Sequence, residues 1–166
     1  MPTLYYISVT VHVLAAMLWL GGMFFVGLIG APVFRAIEPP ALRQRVFHQL
    51  GLRFRRMAWW TIGALVVSGA VNLYYRGWLH WHGVWDSRQF WSTSVGQTLA
   101  VKLSIVALMV AISAIHDFIL GPRAGSMTPG SPAALAFRQR AALLARANAI
   151  LGVLLVAAAV RLVRGG

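Results

Sequence analysis

Three ionisable side chains stand out within apolar stretches of this sequence, where a charge is costly. His12 lies in one such stretch, and Lys102 and His116 lie in another. An ionisable group in the middle of a membrane helix costs about 2.5–3.5 kcal/mol on insertion scales, so each of these residues requires a reason. Imidazole is a common metal ligand and a usual axial ligand of haem iron. We therefore take His12, Lys102 and His116 as candidate cofactor-binding residues, with His12 and Lys102 as the leading metal ligands.

Each of the three residues also has a simpler interpretation. Lys102, the only lysine beside fourteen arginines, could snorkel to the membrane surface about 6 Å away along its helix. His12, at a depth of about 12 Å, could form a hydrogen bond to a neighbouring helix as a neutral side chain. His116, at about 27 Å, is too deep to share one iron with His12. It precedes Asp117, which could pair with Arg55, Arg56 or Arg123, and such a salt bridge at the helix end is an equal alternative to a cofactor role.

The numbers of the other histidines, cysteines and acidic residues limit which metal sites and reactions are possible. His80 and His82 are two positions apart and are weaker candidate metal ligands, whereas His48 is expected to be solvated. The chain has no cysteine, which excludes disulfides, thiolate metal sites, iron–sulfur clusters and covalently attached haem. With only three acidic residues, carboxylate catalysis and calcium or magnesium cages are not expected.

Four apolar runs are long enough to cross a bilayer, which needs about 20 apolar residues. They cover residues 4–31, 57–75, 98–120 and 147–163. Only 11% of all residues are charged, against about a quarter in soluble domains. The sequence therefore predicts an all-α integral membrane protein, a single domain over residues 1–166 that forms an up-down-up-down four-helix bundle.

The arginines predict the orientation of this bundle. Ten arginines lie in loops 33–56 and 121–146, against four on the other side of the predicted bundle, at positions 76, 88, 161 and 164. The positive-inside rule places these two loops in the cytoplasm, and both termini and the aromatic loop 76–97 outside the inner (cytoplasmic) membrane. The net charge of +12 also suits nucleic-acid binding. Because the bases are confined to segments between apolar runs, we predict membrane lipids as partners and no nucleic acid.

The segments that connect the apolar runs also predict local secondary structure. Residues 38–56 are typical of a short amphipathic helix on the cytoplasmic side. Gly121-Pro122 is a helix-stop signal for the third run, and the chain is expected to be helical again from Ala133. No convincing internal repeat is visible in the sequence.

Two motifs resemble a known group of membrane proteins. The pattern His-x3-Ala-x2-Trp-x-Gly-Gly-x2-Phe occupies residues 12–25, and Leu-Ala-Val-Lys-Leu occupies residues 99–103. Together they resemble the CopD-like and HemJ-like four-helix proteins over most of residues 4–75 and 97–163. HemJ-like proteins are protoporphyrinogen oxidases that bind b-type haem, with the positions of His12 and Lys102 implicated, and CopD-like proteins are associated with copper uptake or tolerance.

Three functions remain open at this point. The leading prediction is a membrane protein that binds haem b and transfers electrons to an unidentified redox partner, which would make it an oxidoreductase. The first alternative is a copper-binding or copper-transport protein that uses His12, His80, His82 and methionines. The second alternative is an assembly subunit without a cofactor. Small residues on the helix faces are compatible with a homodimer, and equally with packing inside one chain.

Overall fold

Helices form all the regular structure in the described part of the chain. The computed structural model describes residues 2–78, 88–126 and 131–165. Four helical stretches are long and apolar enough to cross a membrane, namely Thr3–Arg35, Pro40–Tyr75, Ser94–Arg123 and Ala136–Val163. Large apolar side chains cover much of their outer surface; Trp60, for example, is 77% exposed. Such extensive apolar exposure is typical of a surface that faces lipid, so the predicted all-α membrane fold is confirmed.

The chain divides into two compact units, Met1–Ser87 and Arg88–Gly166. In the first unit, which we call the first hairpin, α1 (Pro2–Phe24) packs antiparallel to α3 (Pro40–Tyr75). In the second unit, the second hairpin, α5 (Ser94–Ala114) packs against α7 (Pro132–Val163). The first hairpin comprises α1 (Pro2–Phe24), a π-helical segment (Phe25–Gly30), α2 (Ala31–Arg35) and α3 (Pro40–Tyr75). The second comprises α4 (Arg88–Ser92), α5 (Ser94–Ala114), a π-helical segment (Ile115–Leu120), α6 (Gly121–Ser126) and α7 (Pro132–Val163).

A proline follows each π-helical segment without ending the helix. Proline has no backbone N–H, and in an α-helix its ring clashes with the carbonyl group four residues earlier. In the segment before Pro122, the N–H of Gly121 donates to the carbonyl oxygen of His116, five residues back. The segment before Pro32 has the same five-residue spacing at its end. The wider π turn therefore lets the helix pass through proline, and the prediction that Gly121-Pro122 ends the third helix is wrong.

The other element boundaries also extend beyond the apolar runs. The first run, predicted to end at residue 31, continues helically to Arg35. The segment 38–56 is not a separate amphipathic helix, because α3 runs from Pro40 to Tyr75 without interruption. No proline lies within residues 41–75 to break it. As predicted, the last helix extends well before its apolar run, with its arginines at positions 138, 140 and 146 exposed.

The two hairpins repeat one structural plan that the sequence does not reveal. The second π-helical segment begins 90 positions after the first (residue 115 against residue 25), and Pro122 follows Pro32 by the same interval. Lys102 and His12 occupy equivalent positions, each 13 residues before its π-helical segment (102 to 115 and 12 to 25). The two candidate ligands are therefore counterparts in two copies of the same helical motif.

The start of α5 is fixed by a side-chain cap and a glycine. The hydroxyl oxygen of Thr93 accepts a hydrogen bond from the backbone N–H of Gly96 at 3.0 Å, which satisfies one of the otherwise unpaired N–H groups of the first turn. A Cβ atom at Gly96 would collide with the backbone of Phe90. Glycine at this position therefore allows the short helix α4 to approach the first turn of α5, the helix that carries Lys102.

The orientation in the membrane remains a prediction, and the absence of cysteine makes it directly testable. Gln44 and Ser92 are both exposed, and each can be replaced by a single cysteine. In intact cells, an impermeant thiol reagent is expected to label Ser92→Cys and to spare Gln44→Cys, since the positive-inside rule places residue 44 in the cytoplasm. Both variants should react after permeabilisation. The reverse pattern in intact cells would overturn the predicted orientation.

Candidate functional site

His12 lies in a small polar cluster between α1 and α3. Its Nδ1 atom is 2.9 Å from the hydroxyl oxygen of Ser68. The hydroxyl of Ser8, one turn earlier on α1, donates to the backbone carbonyl oxygen of Ser68 at 3.1 Å. Ser8 and Ser68 are buried and His12 is half-buried. We call Ser8, His12 and Ser68 the first-hairpin cluster; its hydrogen bonds join two helices across 60 positions of sequence (Ser8 to Ser68) and 56 positions (His12 to Ser68).

The hydrogen bonds of Ser68 favour one tautomer of a neutral His12. The Ser68 hydroxyl donates to the backbone carbonyl oxygen of Ala64 at 2.5 Å, one turn earlier on α3. A serine hydroxyl has one hydrogen to donate and two lone pairs to accept with. With that hydrogen directed to Ala64, Ser68 accepts from the Nδ1–H of His12. The neutral ring then carries its proton on Nδ1 and its lone pair on Nε2, the arrangement that a metal-binding histidine needs.

Gly69 on α3 borders the ring of His12, and two further polar residues, Asn72 and Thr61, lie on the same helix. A Cβ atom at Gly69 would lie 3.3 Å from Cε1 of His12, tighter than most contacts of this kind, so glycine leaves room for the imidazole. Asn72 lies one turn beyond Ser68, and its side-chain oxygen is buried without a hydrogen-bond donor among the described residues. Thr61, two turns before Ser68 on α3, is also buried, but its hydroxyl donates to carbonyl groups of its own helix.

The second hairpin places its polar residues differently. Lys102 is half-buried on α5, and Met109, two turns further along, is completely buried. The hydroxyl oxygen of Ser113 accepts a hydrogen bond from the side-chain amide of Asn148 on α7 at 3.0 Å. Ser113 therefore serves as a polar link between two helices, which is a usual role of small polar residues in membrane proteins.

His116 contacts the side chain of the residue that follows it, a pairing that was not predicted from the sequence. Its Nδ1 atom lies 3.0 Å from a carboxylate oxygen of Asp117, and its side chain is 40% exposed. Both residues belong to the π-helical segment Ile115–Leu120. A role for His116 in binding a cofactor stays a prediction.

The remaining histidines do not add to the first-hairpin cluster. His48 is exposed, as expected, and lies twenty positions before Ser68 on the same helix, about 30 Å along its axis. His48 and His12 therefore cannot bind one iron atom or one copper ion within this hairpin. His80 and His82 lie outside the described residues. Within residues 2–78, 88–126 and 131–165, no three histidine or acidic side chains come close enough together to hold a metal ion.

Sequence reasoning identified His12 but missed Ser8 and Gly69. Ser8 precedes His12 by four positions, so the two share one face of α1, and this spacing was a usable signal. Gly69 gave no such signal, because its importance depends on the helix packed opposite to it. The tautomer of His12 likewise depends on a bond between two helices.

Comparison with known proteins finds one family model that matches most of the chain. Residues 48–162 match the family model described as copper resistance protein D. The matched segment contains Ser68, Lys102 and His116 and begins after His12. A protein of Aquifex aeolicus (strain VF5), described only as uncharacterized, is 29% identical over 114 residues, which cover 68% of this chain and 68% of that protein. No solved structure matches the chain significantly.

Proposed function

The chain belongs to the copper resistance protein D family, and we propose that it binds copper within the cytoplasmic membrane as a transported or sequestered ion, with His12 as a copper ligand. The observation that carries the role of His12 is the hydrogen bond between its Nδ1 atom and Ser68, which is the interhelical bond of the simpler interpretation and also the kind of bond that orients a metal-binding imidazole. This reading replaces haem binding, the leading prediction from the sequence, because the family match supports the copper alternative.

The chemistry of the first-hairpin cluster suits copper. Neutral imidazole is a good ligand for copper ions. A histidine that binds a metal nearly always donates its other ring N–H to an acceptor, which fixes the ring and makes the binding nitrogen more basic. Ser68 supplies that acceptor, and its own hydrogen bond to Ala64 sets the direction of donation.

The small number of ligands also suits an ion that passes through the protein. A conducted ion must bind well enough to enter its site and weakly enough to leave it. Among the described residues, His12 has no cluster of histidine or acidic side chains around it that would trap a metal permanently. The other members of the cluster, the hydroxyl groups of Ser8 and Ser68, are weaker copper ligands than the imidazole of His12.

Haem b binding is a second candidate, supported by the equivalence of His12 and Lys102 in the two hairpins. These are the two positions that the resemblance to HemJ-like proteins implicates. In this candidate, oxidoreductase activity would come from the haem, and His12 would supply an imidazole ligand to its iron. The described residues of the first hairpin offer no second histidine near His12, so the other ligand would have to come from elsewhere.

Substitution of Lys102 distinguishes ligation from snorkelling. A lysine binds a metal only through a neutral amine, whereas the guanidinium of arginine stays protonated and cannot donate a lone pair. If Lys102 is a ligand, Lys102→Arg and Lys102→Ala should both lose the bound copper or haem. If Lys102 snorkels to the headgroups, Lys102→Arg should keep wild-type metal content and only Lys102→Ala should be impaired. Metal analysis and an absorption spectrum of each purified variant decide between these results.

The copper proposal is tested in cells by measuring copper content and copper tolerance. Cells that express the chain should differ in both from cells that express the His12→Ala variant at the same membrane abundance. His48→Ala, which changes an exposed histidine, should behave as the wild type. Identical copper content and tolerance in cells with wild-type protein, His12→Ala protein and no protein would overturn the proposal.

A further inference from the structure

A groove on the first hairpin lies away from the first-hairpin cluster, and the proposed function does not use it. Its volume is about 600 Å³. One wall of the groove is the second half of α1 with the π-helical segment that follows it. The other wall is the part of α3 before Ala58. Its lining consists of Met17, Leu18, Gly21, Gly22, Phe25, Val26, Leu50, Arg53, Phe54 and Met57. All of these residues are apolar except Arg53, which is exposed.

Close packing of two helices forms this groove. A Cβ atom at Gly22 would lie 2.5 Å from the ring of Phe54, so glycine allows α1 and α3 to approach each other here. A Cβ atom at the neighbouring Gly21 would have no other atom within 4 Å, so Gly21 forms an open part of the groove wall. The groove thus has a narrow, rigid side at Gly22 and an accessible side at Gly21.

The charges around the groove favour an anionic occupant. The first half of α3 carries five arginines and no acidic residue, with the arginines at positions 43, 45, 53, 55 and 56. A second copy of this chain would bring the same arginines, and with them electrostatic repulsion. A phospholipid offers an apolar acyl chain for the lining and a phosphate for the guanidinium of Arg53. Arginine binds phosphate through paired hydrogen bonds with charge assistance.

We propose that this groove is a specific binding site for one anionic phospholipid, with an acyl chain against Gly21 and the headgroup phosphate bound by Arg53. A basic residue near a membrane surface typically contributes about a fivefold preference for anionic lipid. The site is independent of copper binding at His12, so either proposal can fail without the other.

Native mass spectrometry of the delipidated full chain tests this site. Dioleoylphosphatidylglycerol and dioleoylphosphatidylcholine are added back separately, and the fraction of protein that retains one lipid is compared. The wild type should prefer phosphatidylglycerol. Arg53→Gln should reduce this preference about fivefold, whereas Arg45→Gln, which changes an exposed arginine outside the groove lining, should not.

A second variant blocks the apolar part of the groove. Gly21→Leu should lower retention of both lipids, because its side chain fills space that is open in the structure. Gly63→Leu is the matched control, since Gly63 also has nothing near its Cβ position but does not line the groove. Circular dichroism verifies equal helix content. Wild-type lipid retention in correctly folded Gly21→Leu, or equal retention of the two lipids by the wild type, would overturn the site.

Discussion

Replacement of His12 by alanine is expected to abolish copper binding by the purified protein. His12 is the imidazole of the first-hairpin cluster, and the nearest other histidine described in that hairpin, His48, is about 30 Å away along α3. Among the described residues of this hairpin, no other histidine can therefore replace it. The loss of affinity should exceed the roughly 10–100-fold that removal of an outer-shell partner typically costs. A competition titration with a copper chelator in mild detergent measures this loss.

The control for this titration is His48→Ala, which removes an exposed imidazole. That variant should retain the copper affinity of the wild type. Equal copper affinities for the wild type, His12→Ala and His48→Ala would remove His12 from the binding site, whatever the family of the chain.

Replacement of Ser68 by alanine is expected to weaken copper binding by roughly 10–100-fold without abolishing it. Ser68 holds the Nδ1 side of the His12 ring at 2.9 Å and so determines both its orientation and its tautomer. Without the hydroxyl, the ring can rotate, and its proton can move to the nitrogen that should bind the metal. The same chelator titration gives the affinity, and infrared or NMR measurement of the imidazole gives the tautomer.

Thr61→Ala provides the matched control for Ser68→Ala. Both hydroxyl groups are buried on α3 and donate to carbonyl groups of their own helix, but only that of Ser68 contacts His12. Thr61→Ala should therefore leave copper affinity unchanged. If the two variants weakened binding equally, the effect would reflect packing of α3 and not the hydrogen bond to His12.

The helices were predictable because the thickness of a bilayer fixes the length of an apolar run that crosses it. Their ends were less predictable. Pro122 is a stop signal when read locally, but the π turn before it lets the helix continue to Ser126. Residues 38–56 have the pattern of a separate helix, yet their backbone continues directly into α3. The repeat of the two hairpins lies in backbone geometry and was therefore invisible in the sequence.

The candidate site was predictable only in part, for a physical reason. His12 stands out because an ionisable group within an apolar helix requires a reason. Its partners do not stand out, since serine and glycine are common in membrane helices. Whether Ser68 or Thr61 faces His12 depends on how α1 and α3 pack across sixty positions of sequence. The sequence also favoured haem over copper, and the family match reverses that order.

Copper content and absorption spectrum, measured together on one preparation, test the central claim most directly. The wild-type chain is extracted in mild detergent from cells that are supplied with copper and make haem normally. The protein is predicted to contain copper, in an amount that falls to background in His12→Ala, and to show no Soret band. A Soret band with haem in stoichiometric amount and copper at background would contradict the claim and establish the haem candidate in its place.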